Sequence, residues 1–425
     1  MSLATFRDRV LSDDPLIRRM SYRAVFSAFG DGAFLTGSAV YFTQIVGLSA
    51  AQVGLGLTIA GIVSFLTAVP AGRLVDRLGS REAWLIGTIM STALFACWPL
   101  VHDFVGYVAI SILFEIVDGL AGSGMGAYRL SIFKPDQRVR GLAFNRAYRN
   151  VGYTLGALAG GLALAVHNDT LVKALPLFAA AVSLGDAILV RLMPSTRSRH
   201  QEPAMEEAVE HATEKRSALR NRGYLATMFI DGVVSSHGVL LNTVIPLWLV
   251  TETDAPRVLL AWLFGTNTVM AVLLQVRATR GINDVASSVR AEYRAAACFV
   301  LSCVIVLITH DTVGWVTIAL VWLGHVTVTG TELFESAGGW GLNAELSDPS
   351  RLGEYQGARQ LAATLGNVWA PALYTFLAMN WGAPGWMLIA AIVVVAVAFL
   401  RPATRAAQRF IGVVEAPQDA EPTTA

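Results

Sequence analysis

Charged side chains are scarce in this sequence, and their scarcity excludes the commonest class of protein. Only 15% of the 425 residues are Asp, Glu, Lys or Arg, whereas 54% are hydrophobic, and the mean hydropathy is +0.53. A water-soluble globular chain carries about a quarter charged residues. The composition therefore predicts an all-α membrane protein that crosses the bilayer many times.

Cysteine is also scarce, which excludes a disulfide-stabilised fold. Cys97, Cys298 and Cys303 all fall inside apolar runs, so they offer neither a disulfide framework nor the spacing of a metal site. We interpret them as packing residues and expect no metal and no cofactor. The formal net charge of +1 says little about partners, and we expect no nucleic acid among them.

The sequence lacks the motifs of the commonest catalytic sites. It has no G-x-S-x-G, no H-E-x-x-H and no phosphate-binding loop in an accessible position, so an enzyme or a receptor is the least favoured class. It also lacks a secretory signal, because residues 1–20 are polar and the apolar run that follows is too long. We expect the first helix to stay in the mature chain.

Apolar runs of about 20 residues, the length that crosses about 30 Å of hydrocarbon, are what the sequence has in abundance. We place twelve spans at residues 22–47, 51–75, 83–101, 104–127, 142–166, 171–193, 223–250, 257–277, 293–309, 313–337, 356–379 and 384–400. Every second connection is short, and together these connections hold only Lys173 and Arg257, which leaves 30 of the 32 Lys and Arg for the other side. Basic residues favour the cytoplasm, so we predict a plasma-membrane protein with both termini inside.

The spans divide into two sets of six around a long polar stretch. We predict a cytoplasmic N-terminal segment over residues 1–21, six-helix bundles over 22–193 and 223–400, a cytoplasmic linker over 194–222, and a disordered cytoplasmic tail over 401–425. The predicted fold is two six-helix bundles with twelve transmembrane helices.

A charged loop between the second and third spans carries the most specific motif. Its matching residues are Gly72, Asp76, Gly79 and Arg81. They resemble the loop pattern G-x-x-x-D-x-x-G-[RK]-[RK] of the major facilitator superfamily, although Ser80 replaces the first base of the final pair. The resemblance implies that Gly72, Asp76, Arg77, Gly79 and Arg81 form a latch that holds one conformation of a transporter. Asp76 can face the surrounding bases or the positive N-terminal end of a nearby helix.

The second half does not repeat that spacing. Its corresponding loop, Arg277 to Asp284, keeps charge and one glycine only. We therefore expect any latch to be asymmetric.

Glycines recur every four residues in the fifth span, at Gly152, Gly156 and Gly160, with Gly161 beside them. This spacing forms a smooth face against which another helix can pack. It is similar to the G-x-x-x-G-P-x-x-G-G motif of the drug:proton antiporters of the superfamily, with Ala157 in place of the proline. An ordinary packing face is the alternative interpretation, and without proline the bend of this helix is in doubt.

Carboxylates inside the spans are costly unless they face water, a partner or a proton. They are Asp31, Glu115, Asp118, Asp186, Asp231, Glu332 and Glu335. All except Asp186 fall on spans one, four, seven and ten, the helices that line the central cavity in the superfamily. If Arg23 marks the membrane edge, Asp31 lies about 12 Å inside.

Acids that are close to one another or removed from water can exchange protons near neutral pH. We predict proton coupling at Asp31, Glu115, Asp118, Asp231 and Glu332. We interpret Glu335 as interfacial and Asp186 as a helix-end partner of Arg191.

Aromatic and histidine side chains in the spans supply candidate substrate contacts. The candidates are Phe26, Phe34, Tyr41, His237, His325 and Phe334. Such a set would suit lipophilic cations. We count no Arg or Lys at mid-depth, which argues against carboxylated substrates.

These features predict a monomeric secondary transporter in the lipid bilayer, with no catalytic activity. It exports hydrophobic, in part cationic, drug-like molecules in exchange for protons by alternating access. The alternative is a proton symporter that takes up a small neutral organic solute.

Overall fold

The computed structural model describes residues 12–166, 168–195 and 217–412. The described residues form twelve long helical runs and no strand. In the first half these are α1 (Pro15–Val40, continued by a π-helical turn at Tyr41–Ile45), α2 (Ala50–Leu78), α3 (Ser80–Cys97), α4 (Phe104–Ile132), α5 (Arg138–Ala165) and α6 (Asp169–Arg191). In the second half they are α7 (Arg222–Thr251), α8 (Leu259–Ala278), α9 (Val285–Ile308), α10 (Trp315–Glu345), α11 (Pro349–Trp381) and α12 (Ala383–Ile411).

Ten of the described runs are long and apolar enough to cross a membrane. The other two are α1 and α5, which have 26 and 28 residues in their α-helical parts and are less apolar. The predicted all-α membrane fold is confirmed.

Several helices begin well before the apolar run that predicted them. Asp14 caps α1 by accepting hydrogen bonds from the N–H groups of Leu16 and Ile17, at 2.7 and 3.2 Å. Ser287 and Asp284 cap α9 in the same way, with Asp284 accepting from the Ser287 N–H at 2.6 Å. Polar capping residues set these starts, so the predicted starts at 22 and 293 are late by two turns.

The helices pack as two groups, α1 to α6 and α7 to α12. The second group has a continuous core that includes the fully buried Trp386, Phe299 and Tyr374. In the first group, the glycine face of α5 lies against α1. A Cβ at Gly152, Gly156 or Gly160 would collide with the carbonyl oxygens of Val25, Phe29 and Ala33, respectively.

Those glycines therefore let α1 and α5 approach backbone to backbone. Gly161 faces open space instead. α5 runs without interruption through Ala157.

The predicted disorder of the tail is wrong over its first part. Leu400–Ile411 form a helix whose Ala403, Thr404 and Ala407 are buried. The end of the tail (413–425), the first 11 residues of the N-terminal segment and the linker over 196–216 lie outside the described residues.

Candidate functional site

The two helical groups meet at the end of the molecule that carries the α2–α3, α4–α5 and α8–α9 connections, called the basic end below. α2 and α11 approach so closely there that a Cβ on Gly72 would collide with the Gly353 carbonyl, and a Cβ on Gly353 with the Gly72 carbonyl. Asp76 accepts hydrogen bonds from the N–H groups of Gly353 at 2.7 Å and Glu354 at 2.9 Å. Of the two partners predicted for Asp76, the structure shows the helix N-terminus.

Glu354 extends this contact, and sequence reasoning missed it. Its fully buried carboxylate accepts hydrogen bonds through Oε1 from Arg73 at 3.2 Å and Ser217 at 2.7 Å, and Arg351 Nε forms an ion pair with Oε2 at 3.1 Å. The predicted span began at 356, which left Glu354 in a loop. Gly353 and Gly357 are four residues apart, and each lies against the α2 backbone. This glycine spacing was the sequence signal that could have placed Glu354 on a packed helix.

The other residues predicted for the latch stay within the first group. Gly79 adopts a φ of +95°, which the sharp α2–α3 connection requires. Arg81 donates a hydrogen bond to the Arg191 carbonyl, and Arg77 is exposed.

A second polar bridge joins the groups through α5 and α10. Arg146 contacts Glu332 at 2.7 Å, and Asn267 of α8 donates to the same carboxylate at 2.8 Å. Glu332 is buried, at 8% exposure. The acid predicted for proton coupling on α10 thus also connects the bundles.

Two adjoining cavities lie next to these contacts. The inter-bundle cavity, about 470 Å³, is lined from both groups, by Glu115, Arg129 and Arg146 on one side and by Trp340, Gln356 and Arg359 on the other. The N-bundle cavity, about 430 Å³, is lined by the first group alone. They share Asp118, Gly122, Met125, Arg129 and Arg149. Each volume is in the range that holds a small organic molecule.

Three of the five acids predicted for proton coupling line these cavities. Asp31 faces the N-bundle cavity, Glu115 faces the inter-bundle cavity, and Asp118 lines both. Asp31 and Asp118 are solvent-exposed within the cavity. Arg23 is buried within the first group, and α1 starts at Pro15, about 24 Å before Asp31 along the axis, so the helix continues well beyond the residue that the depth estimate took as its edge.

Asp186 pairs with Arg23 at 2.6 Å, and not with Arg191 as expected. The Arg23 guanidinium also lies over the Trp84 ring, 4.4 Å from its centre. This buried pair neutralises two charges inside the first group and explains why α6 tolerates an acid.

We counted no Arg or Lys at mid-depth in the sequence, yet the cavity between the bundles is lined by arginines. Arg129, Arg146, Arg149 and Arg359 all line the inter-bundle cavity. Arg149 lies about 16 Å along α5 from its start at Arg138, well inside the molecule. Arg129 was assigned to a loop because α4 continues beyond the apolar run that predicted it, whereas the other three bases fell within predicted spans and were not recognised as cavity residues.

Three further acids are buried inside the second group. Asp231 packs against Gly339 and Glu292 against Gly338, where a Cβ would collide with each carboxylate. Glu335 is buried beside them, at 7% exposure, which contradicts its interfacial interpretation. Glu292 was missed because its predicted span began one residue later. Asp231 does not line either cavity.

None of the six candidate substrate contacts lines the two cavities. Phe34 packs 5.3 Å from the ring of Phe95, which does line the N-bundle cavity. Tyr41 is buried beside Phe42, and Phe26 lies half-exposed against Gly185. Their contact with substrate stays a prediction.

The remaining three candidates belong to the second group. His237 donates through Nδ1 to the Val234 carbonyl at 3.1 Å, and His325 is buried beside Leu263 of α8. Phe334 is partly buried against the core. Across the described residues, no cluster of three or more His, Cys, Asp or Glu is arranged to hold a metal ion.

Two six-helix groups around charged cavities, sealed at one end, define a multi-pass membrane protein of the transporter class. Residues 24–333 match the family model of the Major Facilitator Superfamily, and the chain belongs to that family. It is a membrane transporter of the superfamily.

Individual relatives are distant. The chain is 26% identical over 370 residues to the tetracycline resistance protein, class C, of Escherichia coli, covering 83% of this chain and 87% of that protein. Its structure is similar to the human organic anion transporter MFSD10, with a TM-score of 0.66, 15% identity, and 91% and 100% of the two chains covered. The proton:xylose symporter XylE gives a TM-score of 0.67 at 12% identity, with 94% and 96% covered. The structural likenesses show a shared fold.

Proposed function

We propose that this protein exports lipophilic, drug-like molecules from the cytoplasm in exchange for protons. The observation that carries the proposal is that Asp31, Glu115 and Asp118 line cavities of a molecule whose two bundles are joined by the contacts of Asp76 and Glu332. Titratable groups thus lie between a sealed end and the rest of the pathway. The relative named for tetracycline resistance supports drug export as the direction of transport.

Proton coupling needs groups that gain and lose protons as access alternates. In this proposal the basic end is cytoplasmic and the structure is closed toward the cytoplasm, so Asp31 and Asp118 load protons from outside. Opening toward the cytoplasm requires the Asp76 and Arg146–Glu332 contacts to break. Each charge moved across 100 mV supplies about 2.3 kcal/mol, enough to drive uphill export with one or two protons.

The location follows from the same assignment. We propose the plasma membrane, with both termini on the cytoplasmic side. A single chain contains the whole cavity and both sealing contacts, so the monomer is the transporting unit.

Everted vesicles with radiolabelled tetracycline as the first probe test the proposal. We expect an inward-acidic gradient to drive accumulation, an uncoupler to abolish it, and Asp118→Asn to lose at least about 90% of it. Asp169→Asn, an acid in the exposed first turn of α6, is the matched control and should transport normally.

Several results would contradict the proposal. If tetracycline itself is not carried, a panel of lipophilic dyes replaces it in the same assay. Gradient-independent movement of every probe would refute proton-driven export. Alkalinisation outside intact cells on addition of a neutral solute would favour the symporter instead.

A further inference from the structure

Three arginines of the cavity have no carboxylate partner. Arg129, Arg149 and Arg359 form no ion pair with any acid of the described residues. The Nε atoms of Arg129 and Arg359 are buried without a hydrogen-bond acceptor in that part of the chain. A guanidinium removed from water without an acceptor is costly, so a site that keeps several is suited to an anion.

The three bases come from different elements. Arg129 lies in the last turn of α4, Arg149 lies within α5, and Arg359 lies on α11 of the other bundle. The Arg129 side chain has only a long contact with Asn145, at 3.4 Å. The Arg149 guanidinium lies 5.7 Å from the centre of the Tyr153 ring, which orients it without neutralising it. An anion between them would bind both bundles at once.

The other bases of the cavities are already neutralised. Arg146 is paired with Glu332, and Arg23 with Asp186. Arg359 lies within electrostatic range of the buried acids Asp231 and Glu335, but among the described residues it forms an ion pair with neither. The unpaired positive charge is therefore concentrated where the inter-bundle cavity adjoins the N-bundle cavity.

Acids face the same space, with Asp31 in the N-bundle cavity and Asp118 in both cavities. Asp31 and Asp118 lie within electrostatic reach of each other and of Arg149, and both are open to the N-bundle cavity. A ligand with an anionic group alone would bind best when these acids are protonated, so protons and ligand would travel together. A ligand that also carries a cationic group would compete with protons for Asp31 and Asp118, which is what exchange requires.

We propose that the substrates are amphipathic zwitterions, with the anionic group at Arg129, Arg149 and Arg359 and the cationic group at Asp31 and Asp118. This inference rests on the proposed function for the location of the substrate site. It replaces the lipophilic cation expected from the sequence. The two poles bind where the two cavities adjoin, and Phe95, Phe114 and Met125 supply apolar contact in the N-bundle cavity.

A matched series of three naphthyl compounds tests the charge requirement by equilibrium binding to the purified full-length protein in nanodiscs, without any gradient. The zwitterion is 3-(1-naphthyl)alanine, the anion is 3-(1-naphthyl)propanoate, which lacks the amine, and the cation is 2-(1-naphthyl)ethylamine, which lacks the carboxylate. We expect the zwitterion to bind at least about tenfold more tightly than either of the others.

Variants assign each pole. Arg149→Gln should weaken the zwitterion and the anion by about tenfold and leave the cation unchanged, whereas Asp118→Asn should weaken the zwitterion and the cation. Arg149→Lys should recover part of the anion affinity, and Arg359→Gln should repeat the Arg149→Gln pattern from the other bundle. The control is Arg401→Gln on α12, whose guanidinium lies over the Tyr293 ring, 5.4 Å from its centre.

Three outcomes would overturn the proposal. They are tightest binding of the cation, failure of the zwitterion to bind, and an equal loss for all three compounds in Arg149→Gln. Because the assay has no gradient, these outcomes do not depend on proton-driven transport. If the binding pattern is as expected but a proton gradient drives no transport, the proposed function is refuted and the inference about substrate charge stands.

Discussion

Asp76 near the end of α2 and Asp284 before α9 belong to corresponding connections in the two halves of the chain, and they hold different partners. Asp76 accepts from Gly353 and Glu354, across the boundary between the bundles. Asp284 accepts from Ser287, one turn into its own helix. The aspartate of the first half thus seals one bundle against the other, whereas the corresponding aspartate of the second half caps a helix.

The residues around the two aspartates also differ, because the first connection makes polar contacts with the other bundle and the second makes apolar ones. Around Asp76, Gly72 lets the α11 backbone approach, and Glu354 gathers Arg73 and Arg351. The α8–α9 connection reaches the first bundle by apolar packing of Ile282 with Val139. Breaking an apolar contact between two packed bundles needs no charged group to find a new partner, whereas breaking the Asp76 contact exposes a carboxylate and a helix end.

The difference teaches where control resides. A polar contact made only in the closed state can be tuned by charge, so the first connection can act as the latch. The second serves to hold α9 in place. The predicted asymmetry between the two loops therefore has a structural basis, although the latch function itself stays a prediction.

The largest effect should come from Gly72→Ala. A Cβ there collides with the Gly353 carbonyl, and overpacking of this kind costs about 1 to 3 kcal/mol, which shifts the equilibrium away from the closed state by about 5-fold to 150-fold. We expect transport to fall in proportion and the distance between spin labels at Arg140 and Arg280 to lengthen.

The control for this variant is Gly61→Ala on the same helix. Gly61 faces open space, so both transport and spin-label distance should stay at wild-type values. A normal distance in Gly72→Ala would show that the α2–α11 contact does not set closure.

The matched variants Asp76→Ala and Asp284→Ala should separate the two roles. We expect Asp76→Ala to slow turnover about tenfold with little change in binding affinity, because it loses two inter-bundle hydrogen bonds. Asp284→Ala should lower the free energy of unfolding by about 1 kcal/mol and leave turnover near normal, because it loses a helix cap. Turnover in proteoliposomes and thermal unfolding of the purified protein measure the two effects.

The comparison fails if the two variants exchange phenotypes. Weaker substrate affinity at unchanged turnover in Asp76→Ala would assign that residue to binding. Slow turnover in Asp284→Ala would show that the second connection also controls the cycle.

Arg73→Gln should have a smaller effect than either. The Arg73 side chain is 49% exposed, and exposed ion pairs contribute about 0 to 1 kcal/mol. Glu354 keeps Arg351 and Ser217 as partners in this variant. We expect at most about a twofold change in turnover in the proteoliposome assay. High salt should produce the same change in the wild-type protein, because salt screens exposed ion pairs. A loss as large as that of Asp76→Ala would make Arg73 an essential part of the seal.

The fold was predictable from the sequence because apolar run length and basic-loop asymmetry are local signals. The positions of Asp31 and Asp118 near one cavity also followed from their helices. Pairing across helices did not follow, since nothing in the sequence specifies that Arg146 meets Glu332 or that Arg23 meets Asp186.

The main error had one physical cause. Spans were limited to hydrocarbon length, so charged turns were assigned to loops, and Arg129, Glu292 and Glu354 were left out of the interior. The capping residues Asp14 and Asp284 could have corrected the helix starts. The proposed anion site depends on Arg129 meeting Arg149 and Arg359, and that meeting of three helices is not specified by any local signal in the sequence.

The smallest effect is expected from pH on the Asp284 cap. The hydrogen bonds from the Ser287 hydroxyl and N–H hold the pKa of Asp284 below its usual range. A carboxyl whose pKa is lowered on folding stabilises the protein above its unfolded pKa of about 3.9, and that stabilisation is lost as the pH falls through the lower folded value. Between pH 6 and 8 the stability difference between wild type and Asp284→Ala should therefore stay constant in thermal unfolding, while transport varies with pH through the cavity acids. A difference that shrinks from pH 8 to pH 6 would mean that Asp284 titrates in the working range, and the contrast with Asp76 would need a proton-dependent role for both connections.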